Sequence, residues 1–351
     1  MTLEDFLSDW NNGYDKLLVH TSGSTGKPKP MWVEKQKMLN SARITCDFLG
    51  MNPGDTFYLC MPLDYIAGKM VVVRAIERHL KLISEKPSGH PLGDGQNIEY
   101  IDFSQPNPTI EHIYNMGGVG GDTKDTAIAL VPLQVYNTLQ VPEECERLKS
   151  IKHLIIGGGA IDDKLAKALK TFPNYVWSTY AMTETLSHIA LRRVNGPEAS
   201  EWYTPFDSVS LSQTPDGCLI IDAPLVHDGK LVTNDRVEMR TDSKTGKTQF
   251  RVIGRKDNVI DSGGIKIQIE EVEAALKPFL KAPFAITKAK DEKFGEIVVL
   301  VTETDDKADL EEICVNALPK YWRPRRYIHV DKIPMTETGK PARRQIEQLC
   351  S

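Results

Sequence analysis

The sequence lacks several features that would each assign it to a familiar class. No apolar run approaches the roughly 20 residues that cross a bilayer, so membrane insertion is not expected. The opening Met1-Thr2-Leu3-Glu4-Asp5-Phe6 is acidic, without the basic-then-apolar build of a secretory signal. Cysteines stand far apart, at 46, 60, 145, 218, 314 and 350, with no Cys-x-x-Cys pair. That pattern argues against a cysteine metal centre and predicts reduced thiols in a cytoplasmic protein. Positive charge is not in excess. The formal net charge of the 351 residues is −5, so no global field draws in nucleic acid or membrane, and a polyanion must be held by local cations. There is no internal repeat and no long linker. The P-loop spacing is missing too: Gly23 and Gly26 are three apart, and Pro28 follows Lys27 where Ser or Thr should bind magnesium.

What is present begins at Thr21-Ser22-Gly23-Ser24-Thr25-Gly26-Lys27-Pro28-Lys29, directly after the apolar run Leu17-Leu18-Val19. Glycines let backbone fold close around an anion. Backbone N–H groups and Ser/Thr hydroxyls donate to phosphate oxygens, and Lys27 and Lys29 add point charge. The stretch reads as a nucleotide-phosphate loop; a plain flexible turn is the alternative composition allows.

From about 17 to 195 apolar runs alternate with helical patterns. Strands are expected at Thr56–Met61, Ala127–Val131 and Leu154–Ile156, and helices over Gly68–Leu80 and Asp162–Lys170, the latter capped by Asp162. Val176-Trp177 leads to Tyr180, and Leu3, Phe6, Leu7 and Trp10 fall at helical spacing. Such alternation predicts an open α/β sheet with ligands at the carboxyl ends of its strands. From about 205 to 253 strands shorten and turn signals multiply, predicting a small antiparallel barrel or meander. A small α+β segment follows, with a Gly263-Gly264 turn, a helix over Ile269–Leu276, the strand Ile297–Val301 and a helix over Leu310–Leu318. Ser88–Gly95 and Gly117–Gly121 read as surface loops.

Further stretches stand in a fixed order after the phosphate loop. They are Met61-Pro62-Leu63-Asp64-Tyr65-Ile66-Ala67-Gly68, Gly157-Gly158-Gly159-Ala160, Tyr180-Ala181-Met182-Thr183-Glu184-Thr185, Val232-Thr233-Asn234-Asp235, Gly254-Arg255-Lys256-Asp257 and Pro334–Arg343. Together they resemble the adenylate-forming superfamily of acyl- and aryl-CoA ligases, luciferases and nonribosomal adenylation domains. The resemblance implies an α/β fold: a large N-terminal domain with a mostly parallel sheet (1–204) and a β-rich part (205–254), a hinge at 255–257, and a small mobile α+β lid (258–351). It also implies ATP, magnesium and coenzyme A, and an acyl-adenylate formed before a thioester.

Roles carried over by position follow from the same resemblance. Thr21, Ser22, Gly23, Ser24, Thr25, Gly26 and Lys27 take the β- and γ-phosphates; Gly158, Gly159 and Ala160 border adenine, with Tyr180 stacked on it. Thr183 meets the α-phosphate, Glu184 holds magnesium, Asp235 accepts from the ribose hydroxyls, and Arg255 donates to the same sugar or the phosphate. Lys340 is the catalytic lysine, Asp257 the hinge, and Gly263 and Gly264 line the coenzyme A channel. The basic run Lys320, Arg323, Arg325, Arg326 and Lys332 can meet coenzyme A phosphates, or stand as a solvated face.

One branch of the superfamily is matched more closely, through Gly157–Ile161, Arg74, Gly254–Asn258, Ser262–Gly264 with Ile267, and Glu270-Glu271-Val272-Glu273. Its substrate is an aromatic ring with two carboxylates, so Arg74, Lys69 or His188, beside Tyr65, are expected to receive the second anion. Tyr65 stands where many relatives have histidine, Asn234 where glycine precedes the ribose aspartate, and Ala181 where glycine follows the tyrosine. The phosphate loop starts at residue 21, whereas relatives usually carry more sequence before it; the Leu3–Trp10 helix or a second subunit in a homodimer is expected to cover the exposed edge. Another aryl or fatty acid, a carrier-protein thiol as acceptor, and a non-catalytic nucleotide sensor remain as alternatives.

Overall fold

The apolar runs at 57–59, 127–130 and 154–156 are buried on both sides and form parallel neighbours within one large sheet. The computed structural model describes residues 1–20, 29–93, 98–113, 126–336 and 341–350. Helix α1 (Leu3–Trp10) is closed by a reciprocal cap, in which Asp5 N donates to Thr2 Oγ1 at 3.1 Å and Thr2 N donates to Asp5 Oδ2 at 2.8 Å. Its Leu3 and Phe6 are buried. Strands β1 (Lys16–His20) and β2 (Pro30–Glu34) form an antiparallel pair with His20 opposite Pro30. Leu17, Val19 and Val33 point inward, whereas Leu18 faces Trp32 on the outer side, where Trp32 is 67 % exposed.

After α2 (Lys35–Leu49) come β3 (Thr56–Leu59), α3 (Ile66–Arg78), β4 (Lys81–Ser84), β5 (Ile98–Asp102), β6 (Glu111–Ile113), β7 (Thr126–Leu130), α4 (Pro132–Thr138) and α5 (Pro142–Ser150). Then follow β8 (His153–Ile156), α6 (Asp163–Leu169), β9 (Tyr175–Ala181), β10 (His188–Arg193) and β11 (Thr204–Pro205). The large sheet has the order β11-β10-β9-β8-β7-β3-β4-β5-β6. Its centre, β4-β3-β7-β8-β9, is parallel, and antiparallel strands extend it on both edges. Successive side chains of a strand face opposite ways. So Phe57 and Leu59 join one core with α2 and α3, while Tyr58, Ile128, Leu130, Leu154 and Ile156 join the other with α4 to α6.

The second half changes sheet at a fixed point. Strands β12 (Ser210–Gln213), β13 (Cys218–Asp222), β14 (Lys230–Thr241) and β15 (Thr248–Arg255) form an antiparallel meander, as expected. A single 3-10 turn, Lys256–Asn258, leads into another sheet. It contains β16 (Val259–Ser262), β17 (Ile265–Gln268), β18 (Phe284–Asp291), β19 (Gly295–Thr302) and β20 (Arg326–His329), with α7 (Ile269–Leu276), α8 (Lys307–Ala317) and α9 (Arg343–Gln348) packed on it. Gln268 Nε2 donates to the Arg255 carbonyl at 2.8 Å, and Lys277 pairs with Asp162 at 3.3 Å, tying this part to the first.

One expectation needs correction. Ser88–Gly95 is not all surface: Pro91 and Leu92 are buried, and Leu92 packs in the second core. Tyr180 lies inside β9, which pairs with β10 out to Ala181. Gly117–Gly121 lies outside the described residues. Among the described residues no helix is long and apolar enough to cross a membrane.

Candidate active site

The Gly157-Gly158-Gly159 run continues directly from β8, at the carboxyl end of a parallel strand. Gly157 N donates to the Leu130 carbonyl at 3.0 Å, and a Cβ on Gly157 would stand 2.8 Å from Thr179 Oγ1 on β9. Gly158 has φ +74°, a left-handed backbone that glycine adopts without strain. Gly158 and Ala160 are exposed there and Gly159 is half-buried.

On the neighbouring strand, Tyr180 is buried. Its ring meets Phe250 edge-on at 5.0 Å and Tyr203 at 6.1 Å. Its hydroxyl donates to Asp235 Oδ2 at 2.5 Å. Asp235 on β14 lies opposite Arg255 on β15, whose Nη1 donates to Asp235 Oδ1 at 3.1 Å. The remaining nitrogens of Arg255 go to Asp257: Nε and Nη2 each donate to its carboxylate at 2.9 Å. Burial, with the Asp235 charge second, pushes the Tyr180 phenol far above its usual range, so it stays a protonated donor. The Asp257 hydrogen bonds hold the Arg255 guanidinium firmly charged. Tyr180, Asp235, Arg255 and Asp257 are thus brought into one hydrogen-bonded line.

Beyond β9 the chain makes one 3-10 turn, Thr183–Thr185, and then an unusual bend. Leu186 is buried at φ +66°, a conformation costing about 1–3 kcal/mol for a side chain of this kind. The bend is held by Ser187 N donating to the Thr185 carbonyl at 2.7 Å and by Thr185 Oγ1 donating to the Ser187 carbonyl at 2.8 Å. Thr183 is buried. Glu184 is half-buried, and among the described residues its carboxylate has no hydrogen-bond or ion-pair partner.

The expected acid-side residues separate into two places. Arg74 and His188 come together through Ser187: Arg74 Nη2 donates to Ser187 Oγ at 2.6 Å, and that oxygen lies 3.4 Å from His188 Nδ1. Both residues are buried, and Arg74 Nε finds no acceptor among the described residues. Burial lowers the Arg74 pKa to about 10. Burial, with the Arg74 charge second, drives His188 well below its usual value, so its ring is neutral. Lys69 is elsewhere. Its ammonium donates to the Leu63 carbonyl at 2.5 Å, lies 5.8 Å from the Phe6 ring and touches Met1 Sδ, under α1. Tyr65 occupies the N-cap position of α3, half-exposed.

Gly263 and Gly264, at φ +60° and +84°, form the two-residue turn between β16 and β17; both positive angles suit a primed hairpin turn. Gly263 N donates to the Phe294 carbonyl at 2.8 Å. The basic run divides. Arg323 closes the end of α8 through the carbonyls of Leu318 and Val315, and Arg326 donates to the Cys350 carbonyl. Arg325 stacks on Phe294 at 3.9 Å, beside the glycine turn. The phosphate-loop residues Thr21 to Lys27 and Lys340 lie outside the described residues. Sequence reasoning missed Ser187, Thr45, Leu186 and Gln268; of these only Ser187 had a signal, its place directly after the Thr183-Glu184-Thr185 motif.

The fold is that of the adenylate-forming enzymes. Over 99 % of the chain and 93 % of the other, it superimposes on the acyl-CoA synthetase (AMP-forming)/AMP-acid ligase II-like protein of Dyadobacter fermentans, with TM-score 0.60 and 28 % identity. Within that class the chain is similar to 2-succinylbenzoate–CoA ligase of Enterococcus faecalis, 26 % identical over 93 % of this chain and 68 % of that one. The o-succinylbenzoate CoA synthetase of Bacillus subtilis, solved with an acyl-adenylate intermediate, shares the fold at TM-score 0.69 and 21 % identity, over 94 % of this chain and 68 % of that one. No family model matches the chain.

Proposed function

We propose that this chain is an AMP-forming acid–CoA ligase whose acid is o-succinylbenzoate, the precursor activated in menaquinone biosynthesis. A carboxylate oxygen of the acid attacks the α-phosphorus of ATP, the bond to pyrophosphate breaks, and an acyl-adenylate forms. The thiol of coenzyme A then attacks the acyl carbon and AMP leaves. The observation that carries this reading is the joining of Tyr180, Asp235 and Arg255, from three separate sequence motifs, at 2.5 and 3.1 Å.

Asp235 has lone pairs for the ribose hydroxyls, and Arg255 holds it in place while carrying charge toward the sugar and phosphate. Gly158, Gly159 and Ala160, at the adjoining strand end, border the adenine, with Tyr180 stacked on it, as the motifs imply. The residues Thr21 to Lys27 take the phosphates and Lys340 bridges the attacking carboxylate and the α-phosphate, as the motifs imply. Glu184 fits magnesium, since its carboxylate has no other partner among the described residues and this ion uses one or two carboxylates plus substrate phosphates. When bound, the ion offsets phosphate charge.

On the acid side Arg74 is a buried cation with no carboxylate paired to it among the described residues, which suits a substrate bearing a second anion. Arg325 on Phe294, beside Gly263 and Gly264, suits the phosphates of coenzyme A. Asp257, in the turn between the two sheets, is the hinge, and a homodimer whose second subunit covers the exposed sheet edge belongs to the same reading. The test is a panel of carboxylic acids with ATP, magnesium and free coenzyme A, scored by mass for thioesters. o-Succinylbenzoyl-CoA as the preferred product supports the proposal; a thioester formed only on a phosphopantetheinylated carrier protein, or no thioester, overturns it.

A further inference from the structure

Side chains from α2, α3, β10 and the bend before it form a single chain of hydrogen bonds, and the far end of that chain sets the direction of every link. Thr45 donates its only hydroxyl hydrogen to the Ser41 carbonyl at 3.0 Å. Its oxygen, 3.0 Å from His188 Nε2, is therefore the acceptor of that contact. The imidazole hydrogen thus sits on Nε2 and Nδ1 is bare. The Ser187 hydroxyl, 3.4 Å from Nδ1, turns its hydrogen there and leaves its lone pairs to Arg74 Nη2 at 2.6 Å. Arg74 lies over the Phe57 ring at 5.9 Å, and its Nε is buried without an acceptor among the described residues.

We propose that Ser187 is a positioning residue for the acid: it aims the Arg74 guanidinium and fixes His188 as a neutral ring, so that Arg74 alone supplies the charge received by the substrate's second anionic group. This rests on the functional reading above and adds to it the residue that sets selectivity for a doubly charged acid. Ser187 is held there by the strained Leu186 bend and the Thr185 hydroxyl. The same bend begins with Thr183 and Glu184, so the phosphate-side and acid-side groups are carried on one turn.

The test uses the full chain with ATP, magnesium and coenzyme A, and two acids: o-succinylbenzoate and 3-benzoylpropionate, which lacks the ring carboxylate. Ser187→Ala is expected to raise KM for o-succinylbenzoate about tenfold, the equivalent of one lost hydrogen bond, with KM for ATP unchanged. Turnover of 3-benzoylpropionate is expected to stay within about twofold, and Ser187→Thr to restore most of the loss. Independently of turnover, nitrogen NMR of histidine-labelled protein, assigned with His188→Gln, is expected to show Nε2–H and a bare Nδ1 that shifts in Ser187→Ala. An Nδ1–H or doubly protonated ring, or an Nδ1 signal unmoved in Ser187→Ala, overturns the relay itself. An equal rise in KM for both acids overturns selectivity. No thioester from either acid, with His188 in its Nε2–H form, sinks the functional reading and the positioning role with it.

Discussion

Asp235 and Arg255 are direct partners across the β14–β15 ladder, and their side chains meet at 3.1 Å on one face of the sheet. Antiparallel partners lie close enough for opposite charges to interact, so the register alone places the carboxylate and the guanidinium together. One further pair, Arg236 opposite Gly254, separates them from the bulge between Arg236 and Val237. Asp235→Asn removes the charge from this pair. KM for ATP is expected to rise by about tenfold or more, in line with roughly 1.5–3 kcal/mol for a hydrogen bond to a charged group, while KM for the acid stays constant. Steady-state kinetics with each substrate varied separately checks it.

Asp257 holds Arg255 through two hydrogen bonds, so the turn between the sheets and the Arg255 guanidinium are mechanically linked. A turn that lets two parts reorient must absorb torsion in a few residues. Asp257→Pro fixes that torsion and removes the carboxylate. One half-reaction, either adenylate formation or thioester formation from preformed adenylate, is expected to fail preferentially. Rapid-quench measurement of each step separately decides it, and equal loss of both contradicts the hinge.

His188 gives stability a dependence on pH. Its folded-state pKa is depressed by burial and by the Arg74 charge, so the unfolded chain binds the proton more readily than the folded one. The stabilisation is complete above the ordinary histidine value of about 6.5 and is lost as pH falls below it, at about 1.4 kcal/mol per pH unit. His188→Gln is expected to flatten this slope. Denaturant unfolding of both proteins between pH 5 and pH 7, ~2 units around the ordinary value, compares them.

Gly68 lies in the first turn of α3, where the helix passes the Pro62 carbonyl. A Cβ there would overlap that carbonyl, which belongs to backbone and cannot rotate away. Gly68→Ala is expected to destabilise by about 1–3 kcal/mol, read as a lowered thermal midpoint.

Much of this was legible in the sequence, because local rules settle it. Asp162 caps α6 by accepting from Leu165 N, and α7 spans Ile269–Leu276, the extent its apolar spacing predicts. The parallel strands at 56, 127 and 154 are continuous apolar runs because helices cover both faces. What was not legible depends on contacts distant in sequence. Tyr180 reaches Asp235 only because β9 and the meander pack together, and no local pattern encodes that meeting. Lys69 and Arg74 read alike on a helix, yet one donates to Leu63 beneath α1 and the other to Ser187, since they leave α3 on different sides. Strain at Leu186 has no composition signal, for a leucine is the last residue a turn pattern would offer there.

Lys340→Ala separates the two halves of the reaction. On the proposed role, in which Lys340 bridges the attacking carboxylate and the α-phosphate, adenylate formation is expected to fall by orders of magnitude. Thioester formation from preformed adenylate is expected to survive. Equal survival of both half-reactions removes Lys340 from the chemistry.

The most direct test of the central claim is acid-dependent exchange of labelled pyrophosphate into ATP by the full chain, with magnesium and without coenzyme A. Exchange driven by o-succinylbenzoate, and lost in Asp235→Asn at low ATP, is the predicted result. Tight ATP binding with no exchange for any acid would contradict an adenylate-forming ligase and leave a nucleotide-binding protein in its place.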